Sequence, residues 1–151
     1  MRRLLPDAES QTAFGTRLAA VLPAQCVIYL NGDLGTGKTT LARGILRGLG
    51  HQGPARSPTY TLIEPYEIGP RRVYHLDLYR LSDPEELEYL GLRDLLADAA
   101  LWLVEWPARG ARLLPAADLS IGIEYLPQGR RLTLSPHHEA AQTWTAGLDL
   151  P

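Results

Sequence analysis

The chain has 151 residues, 45% of them hydrophobic and 21% charged, with a formal net charge of -2 and a pI near 6.1. That length suits one domain, residues 1–151, able to bury about 68–70% of the surface its unfolded chain exposes. The near-neutral balance excludes the overall basic field that marks a nucleic-acid binder. One cysteine, Cys26, excludes an intramolecular disulfide or a cysteine metal cluster. The basic start MRRLLPDAES has only Leu4-Leu5 before Pro6, which is no signal peptide, and no run is long enough to cross a membrane. A cytoplasmic protein is expected.

In chain order, Phe14, Leu18, Val21 and Leu22 recur at helical spacing, so Asp7 to Leu22 reads as an amphipathic helix capped by Asp7 or Ser10 and ended by Pro23. Val27 to Leu30 is a short apolar, β-branched and aromatic run, a buried strand beginning at Cys26. Leu41, Ile45 and Leu49 then repeat at i, i+4 and i+8, and Gly50 closes that helix as a left-handed cap. His51 to Pro58 is a polar loop. Thr59 to Tyr66 and Val73 to Tyr79 read as the arms of an antiparallel hairpin about Ile68-Gly69-Pro70-Arg71. In the second arm Tyr74, Leu76 and Leu78 face the core and Asp77 lies on the opposite side with His75.

Asp83 and Pro84 start a helical segment that Gly91 splits in two. Leu101 to Glu105 is an apolar strand ending in an acid. Ile121 to Tyr125 and Arg131 to Ser135 are weaker strands, and the residues after about 136 are a short helix or a loose tail. The sum is an α/β domain around a mixed sheet, parallel beside the glycine-rich loop and antiparallel at the hairpin.

That loop, Gly32-Asp33-Leu34-Gly35-Thr36-Gly37-Lys38-Thr39, fits G-x-x-x-x-G-K-[ST] and stands between a strand and a helix, as the pattern requires. Gly32, Gly35 and Gly37 let the backbone take positive φ and bring its N–H groups to phosphate oxygens beside a helix N-terminus, and Thr36 and Thr40 are counted with Gly35 and Gly37 among the nucleotide-binding residues. Lys38 reaches the β- and γ-phosphates, and the Thr39 hydroxyl ligates Mg²⁺. Lys38 is the single lysine beside 14 arginines, so the compact ammonium is kept at the one place where it suits the chemistry better than a planar fork.

Hydrolysis also needs the cation held and a water positioned. Glu105, at the end of four apolar residues, is the candidate metal acid. Asp77 is the candidate base or water-orienting group, with an ion pair to Arg80 as the structural alternative. Thr59 and Thr61 stand where a γ-phosphate-sensing segment would lie, and Trp106 either stacks near the nucleotide or packs the core. His75 reads as a structural neighbour, and His51, His137 and His138 as surface. The guanine-specifying Asn-Lys-x-Asp tetrad needs a second lysine, so ATP is favoured over GTP. A small-molecule or nucleoside kinase on the same scaffold, and a nucleotide-gated adaptor without catalysis, are the alternatives.

GDLGTGKTT, SPTYTLIEPY (Ser57 to Tyr66), HLDLYRL (His75 to Leu81), DPEELEYLGLRDLL (Asp83 to Leu96) and VEWP (Val104 to Pro107) follow one another in an order and spacing that resemble the bacterial tRNA threonylcarbamoyladenosine biosynthesis ATPase family, TsaE. The resemblance runs from about Leu5 to Arg130. It implies a P-loop NTPase-like three-layer fold and a small cytoplasmic ATPase, weak alone. It further implies work with two partner proteins, TsaB and TsaD, that install the threonylcarbamoyl group on adenosine 37 of tRNA, the tRNA being touched mainly through them. By position it implies phosphate and Mg²⁺ binding by Lys38 and Thr39, a metal role for Glu105, a need for Asp77 in hydrolysis, and nucleotide contacts by Trp106 and Arg130.

Overall fold

The computed structural model describes residues 1–149. The chain runs β1 (Arg2–Leu5), α1 (Ala8–Ala19), β2 (Cys26–Gly32), α2 (Lys38–Gly48), β3 (Ile63–Ile68), β4 (Arg71–Asp77), α3 (Glu86–Tyr89), α4 (Leu92–Leu96), β5 (Leu101–Glu105), β6 (Leu119–Leu126), β7 (Gly129–Pro136) and α5 (Glu139–Ala146), with short 3₁₀ turns at Pro107–Arg109, Ala111–Leu113 and Gly147–Asp149. The expected domain reaches residue 151, and its last two residues lie outside the described ones. No helix among the described residues is long and apolar enough to cross a membrane.

The strands form one seven-stranded sheet in the order β1-β7-β6-β2-β5-β4-β3. β6, β2, β5 and β4 are parallel neighbours, whereas β3, β7 and β1 pair antiparallel at the edges. The mixed sheet is therefore as expected. Apolar side chains fill both of its faces. Ile28, Leu30, Leu103 and Ile121 join Leu18, Leu41 and Ile45 under α1 and α2. Tyr74, Leu76, Trp102 and Val104 join Leu87 and Leu92 on the other face, under α3 and α4. Helices on both sides make the architecture three-layered.

α1 lies against α2 because small residues line the contact. A Cβ on Gly15 would stand 2.7 Å from the Leu41 carbonyl, so no larger residue allows this approach. Asp7, and not Ser10, caps α1 by accepting from the Ser10 N–H at 2.7 Å, and the helix stops at Ala19, short of the expected Leu22. At the end of α2, Gly50 (φ 110°) donates to Arg47 and His51 to Leu46, both at 3.0 Å, which is the glycine cap the sequence indicates.

Two expectations about the hairpin are corrected. The first hairpin arm begins at Ile63, not Thr59: Leu62 has φ 67° and its N–H closes a turn on the Pro58 carbonyl at 2.8 Å, so Thr59 and Thr61 lie in a turn. β-Propensity loses there to a local turn. Tyr74, Leu76 and Leu78 pack in one core cluster as expected, but the opposite side of the strand, with Val73, His75 and Asp77, is buried too, because β4 lies inside the sheet. β1, a strand to which no local pattern points, pairs with β7 from Arg2↔Thr133 to Leu5↔Arg130. Of the two forms expected after residue 136, the short helix is the one found, over Glu139–Ala146, with His138 accepting from the Ala141 N–H as its cap. The two weaker strands are longer than the sequence indicates and turn tightly at Pro127-Gln128.

Cys26 is 4% exposed, and burial pushes its thiol up from 9.0 to about 12. The native state holds this proton more tightly than the unfolded chain, so the contribution is complete below the unfolded value and is lost as pH rises above about 9. Between about pH 9 and 12 the expected slope from this group is about 1.4 kcal/mol per pH unit. Urea melts of the native chain and of Cys26→Ala across that range measure it: the difference in stability between them should change with pH in this direction.

Candidate functional site

The carboxyl ends of β2, β5 and β4 meet at one edge of the sheet, where open α/β folds bind ligands. β2 ends at Gly32, and the loop passes directly into α2 at Lys38. Gly37 has φ 106° and caps α2 without any side-chain hydrogen bond, so the positive end of the helix is left open to an anion. Only glycine holds that φ without strain.

Lys38 folds back over the loop. Its Nζ donates to the Gly32 carbonyl at 2.6 Å and to the Asp33 carbonyl at 2.9 Å, and lies 4.4 Å from the centre of the Trp106 ring. Burial depresses its pKa, while the charges of Glu105, Asp77 and Asp33 act in the opposite sense. An ammonium held at the head of this loop is a compact charge of the kind that suits a phosphate.

β5 lies between β2 and β4, so Glu105 stands opposite both Leu30 and Asp77. The Thr39 hydroxyl is 3.1 and 3.2 Å from the two Glu105 oxygens, and His75 Nε2 is 2.7 Å from Oε2. His75 and Glu105 are 0% and 2% exposed. His75, read from sequence as a neighbour only, is thus the buried partner of the acid. Only the sheet register carries that information, because the two residues are 30 positions apart. Asp77 accepts from the Tyr79 N–H at 3.1 Å, and burial, aided by the Glu105 charge, raises its pKa. Arg80, the alternative partner for Asp77, lies instead over the Tyr60 ring at 4.8 Å.

Gly35, Gly37, Lys38, Thr39, Thr40, Asp77, Glu105 and Trp106 line one cleft of about 400 Å³, together with Leu34, Thr59, Tyr79 and Arg80. Trp106 holds a left-handed backbone (φ 57°) and packs on Tyr79 with ring centres 5.0 Å apart. A tryptophan in that region costs on the order of 1–3 kcal/mol, a strain that concentrates at functional sites. Thr36 is brought to the loop but not to the cleft: it is 1% exposed and its hydroxyl donates to the Asp33 carbonyl at 2.8 Å. Arg130 is not among the cleft residues; its guanidinium lies 4.2 Å over the Tyr125 ring. A larger cavity of about 510 Å³ beside α3 contains none of these groups.

Thr39 and Glu105 supply a hydroxyl and a carboxylate, hard oxygen donors of the kind Mg²⁺ takes when phosphate oxygens and water complete its shell. The donor chemistry therefore fits the ion. With the loop and Lys38, the arrangement is suited to binding a nucleoside polyphosphate and directing charge at its terminal phosphate.

A family model described as threonylcarbamoyl adenosine biosynthesis protein TsaE matches residues 5–132. The tRNA threonylcarbamoyladenosine biosynthesis protein TsaE of Haemophilus influenzae is 46% identical over 139 residues, covering 89% of this chain and 88% of its own. The protein of the same name from Synechocystis is 42% identical over 113 residues, covering 72% and 71%. The crystal structure of Bacillus subtilis YdiB superposes with a TM-score of 0.81 at 28% identity, covering 98% of this chain and 93% of that one.

Proposed function

Because the chain belongs to the TsaE family of threonylcarbamoyl adenosine biosynthesis proteins, we propose that it binds and hydrolyses ATP and that this turnover serves the formation of threonylcarbamoyladenosine on tRNA. The observation that carries the reading is the Thr39 hydroxyl set against both oxygens of Glu105, 66 residues away, at the mouth of the glycine loop. A loop that only bound phosphate would not need a buried acid there.

Lys38 binds the β- and γ-phosphates, and the open N-terminus of α2 and the loop amides bind the oxygens around them. Thr39 and Glu105 would hold Mg²⁺, which supplies neutralisation of the charge on the phosphates. Asp77 orients the attacking water and takes its proton as the water oxygen bonds to the γ-phosphorus and the bond to the ADP oxygen breaks. Its raised pKa makes it a better acceptor than an ordinary carboxylate. Trp106 and Tyr79 wall the cleft and limit water around Lys38. ATP and Mg²⁺ are the ligands of this reading, TsaB and TsaD the partners, and the cytoplasm the compartment. The chain acts as one domain, and tRNA is contacted through the partners.

The test is phosphate release from ATP by the purified chain, alone and with TsaB, TsaD and tRNA, scored with the modified nucleoside in the same tubes. Slow release alone, faster release with the partners, and modification that stops when Mg²⁺ is chelated are expected. Label from the γ-phosphate appearing on a metabolite would replace this reading with a kinase. Modification at full rate without this chain would remove its task.

A further inference from the structure

The glycine loop is gripped from outside the cleft by two side chains. Gln11, on α1 and 4% exposed, donates from Nε2 to the Thr36 carbonyl at 2.9 Å. Tyr125, on β6, donates its hydroxyl to the Leu34 carbonyl at 2.8 Å. Neither residue lines the cleft, whereas Leu34, Gly35 and Gly37 do.

A trans peptide is planar, so its N–H points opposite to its C=O, and no peptide among the described residues is cis. Drawing the Thr36 carbonyl toward α1 turns the Gly37 N–H away from α1. Drawing the Leu34 carbonyl toward β6 turns the Gly35 N–H away from β6. Both directions lead from the supporting elements to the cleft side of the loop. Among the described residues neither amide donates to a protein acceptor. Glycine rotates a peptide at little cost, so a loop of this composition needs an outside hold to keep its amides aimed. The spaces agree with the contacts: a Cβ on Gly37 would run into the Gln11 amide, and one on Gly35 into the Tyr125 hydroxyl.

We propose that Gln11 and Tyr125 are positioning residues which fix the Thr36–Gly37 and Leu34–Gly35 peptides so that the Gly37 and Gly35 amides face the phosphates of a bound nucleotide. The proposal rests on the reading of the cleft as a nucleotide site. Arg130 enters through the same contact: stacked on Tyr125, it steadies the ring whose hydroxyl holds the loop.

ADP affinity by calorimetry, with ¹⁵N–¹H spectra of the free chain, tests it on Gln11→Leu, Tyr125→Phe and Lys38→Ala. Loss of one hold should raise the ADP Kd about 5–10-fold, the size of one lost hydrogen bond. The Gly37 amide signal should move most in Gln11→Leu and the Gly35 signal most in Tyr125→Phe, a pattern that general destabilisation would not give. Tyr125 is 50% exposed and Phe removes one hydroxyl, so this variant carries the test if Gln11→Leu does not fold. If Lys38→Ala loses ADP while both other variants bind it as the native chain does, with amide signals unmoved, the proposal is overturned and the nucleotide reading stands. If Lys38→Ala binds ADP unchanged, the nucleotide reading itself falls, and the proposal with it.

Discussion

Lys38→Ala is expected to lower ATP turnover about 10²–10³-fold or more, with a matching loss of nucleotide affinity. Two effects act together. The phosphates lose the one ammonium that the cleft offers them, since Lys38 is the only lysine in the chain. The Gly32 and Asp33 carbonyls also lose the donor that they share at 2.6 and 2.9 Å. Lys38→Arg should rescue little, because a planar fork does not fit a space bounded by two carbonyls and the Trp106 ring 4.4 Å away. Phosphate release and ADP calorimetry, with a circular dichroism spectrum to verify the fold, decide the matter. Turnover within a few-fold of the native rate would remove Lys38 from the site.

Glu105→Gln should separate binding from cleavage. Glutamine keeps the volume and one oxygen for the Thr39 hydroxyl, so ADP binding without metal should stay within a few-fold of native. The charge that would hold Mg²⁺ is gone, and cleavage should fall about 10²-fold or more. The variant also leaves His75 Nε2 beside a neutral amide where it had a buried carboxylate at 2.7 Å. Titrating Mg²⁺ into the ADP complex gives a readout besides turnover: the native affinity should rise with Mg²⁺ and that of the variant should not. Native-like cleavage with an unchanged Mg²⁺ dependence would mean that Glu105 is a structural acid.

These expectations draw on two kinds of information in the chain. Local pattern located the loop, because Gly32 to Thr39 carries its backbone chemistry in eight consecutive residues and is flanked by a strand and a helix of recognisable period. The same holds for the two-residue turn at Gly69-Pro70, the break between α3 and α4 at Gly91 (φ 83°), and the acid that ends β5. Local pattern failed at Thr59–Leu62, where threonine and tyrosine read as strand but a turn onto Pro58 prevails. It was silent at Arg2–Leu5, whose extended form depends on a partner at Arg130–Thr133.

By itself, then, the sequence determined the glycine loop, its helix, and Glu105 at the end of an apolar strand. Each follows from the period, turn chemistry or composition of one short window. Only the tertiary structure decided that β5 sits between β2 and β4, and hence that Glu105 meets Thr39, His75 and the neighbourhood of Asp77. It alone brought Gln11 and Tyr125 to the loop across 25 and 91 residues, and drew Arg130 onto Tyr125 outside the cleft. The reason is physical: strand order and register are settled by how the two faces of the sheet bury their apolar side chains together, and no single window of the chain contains that balance.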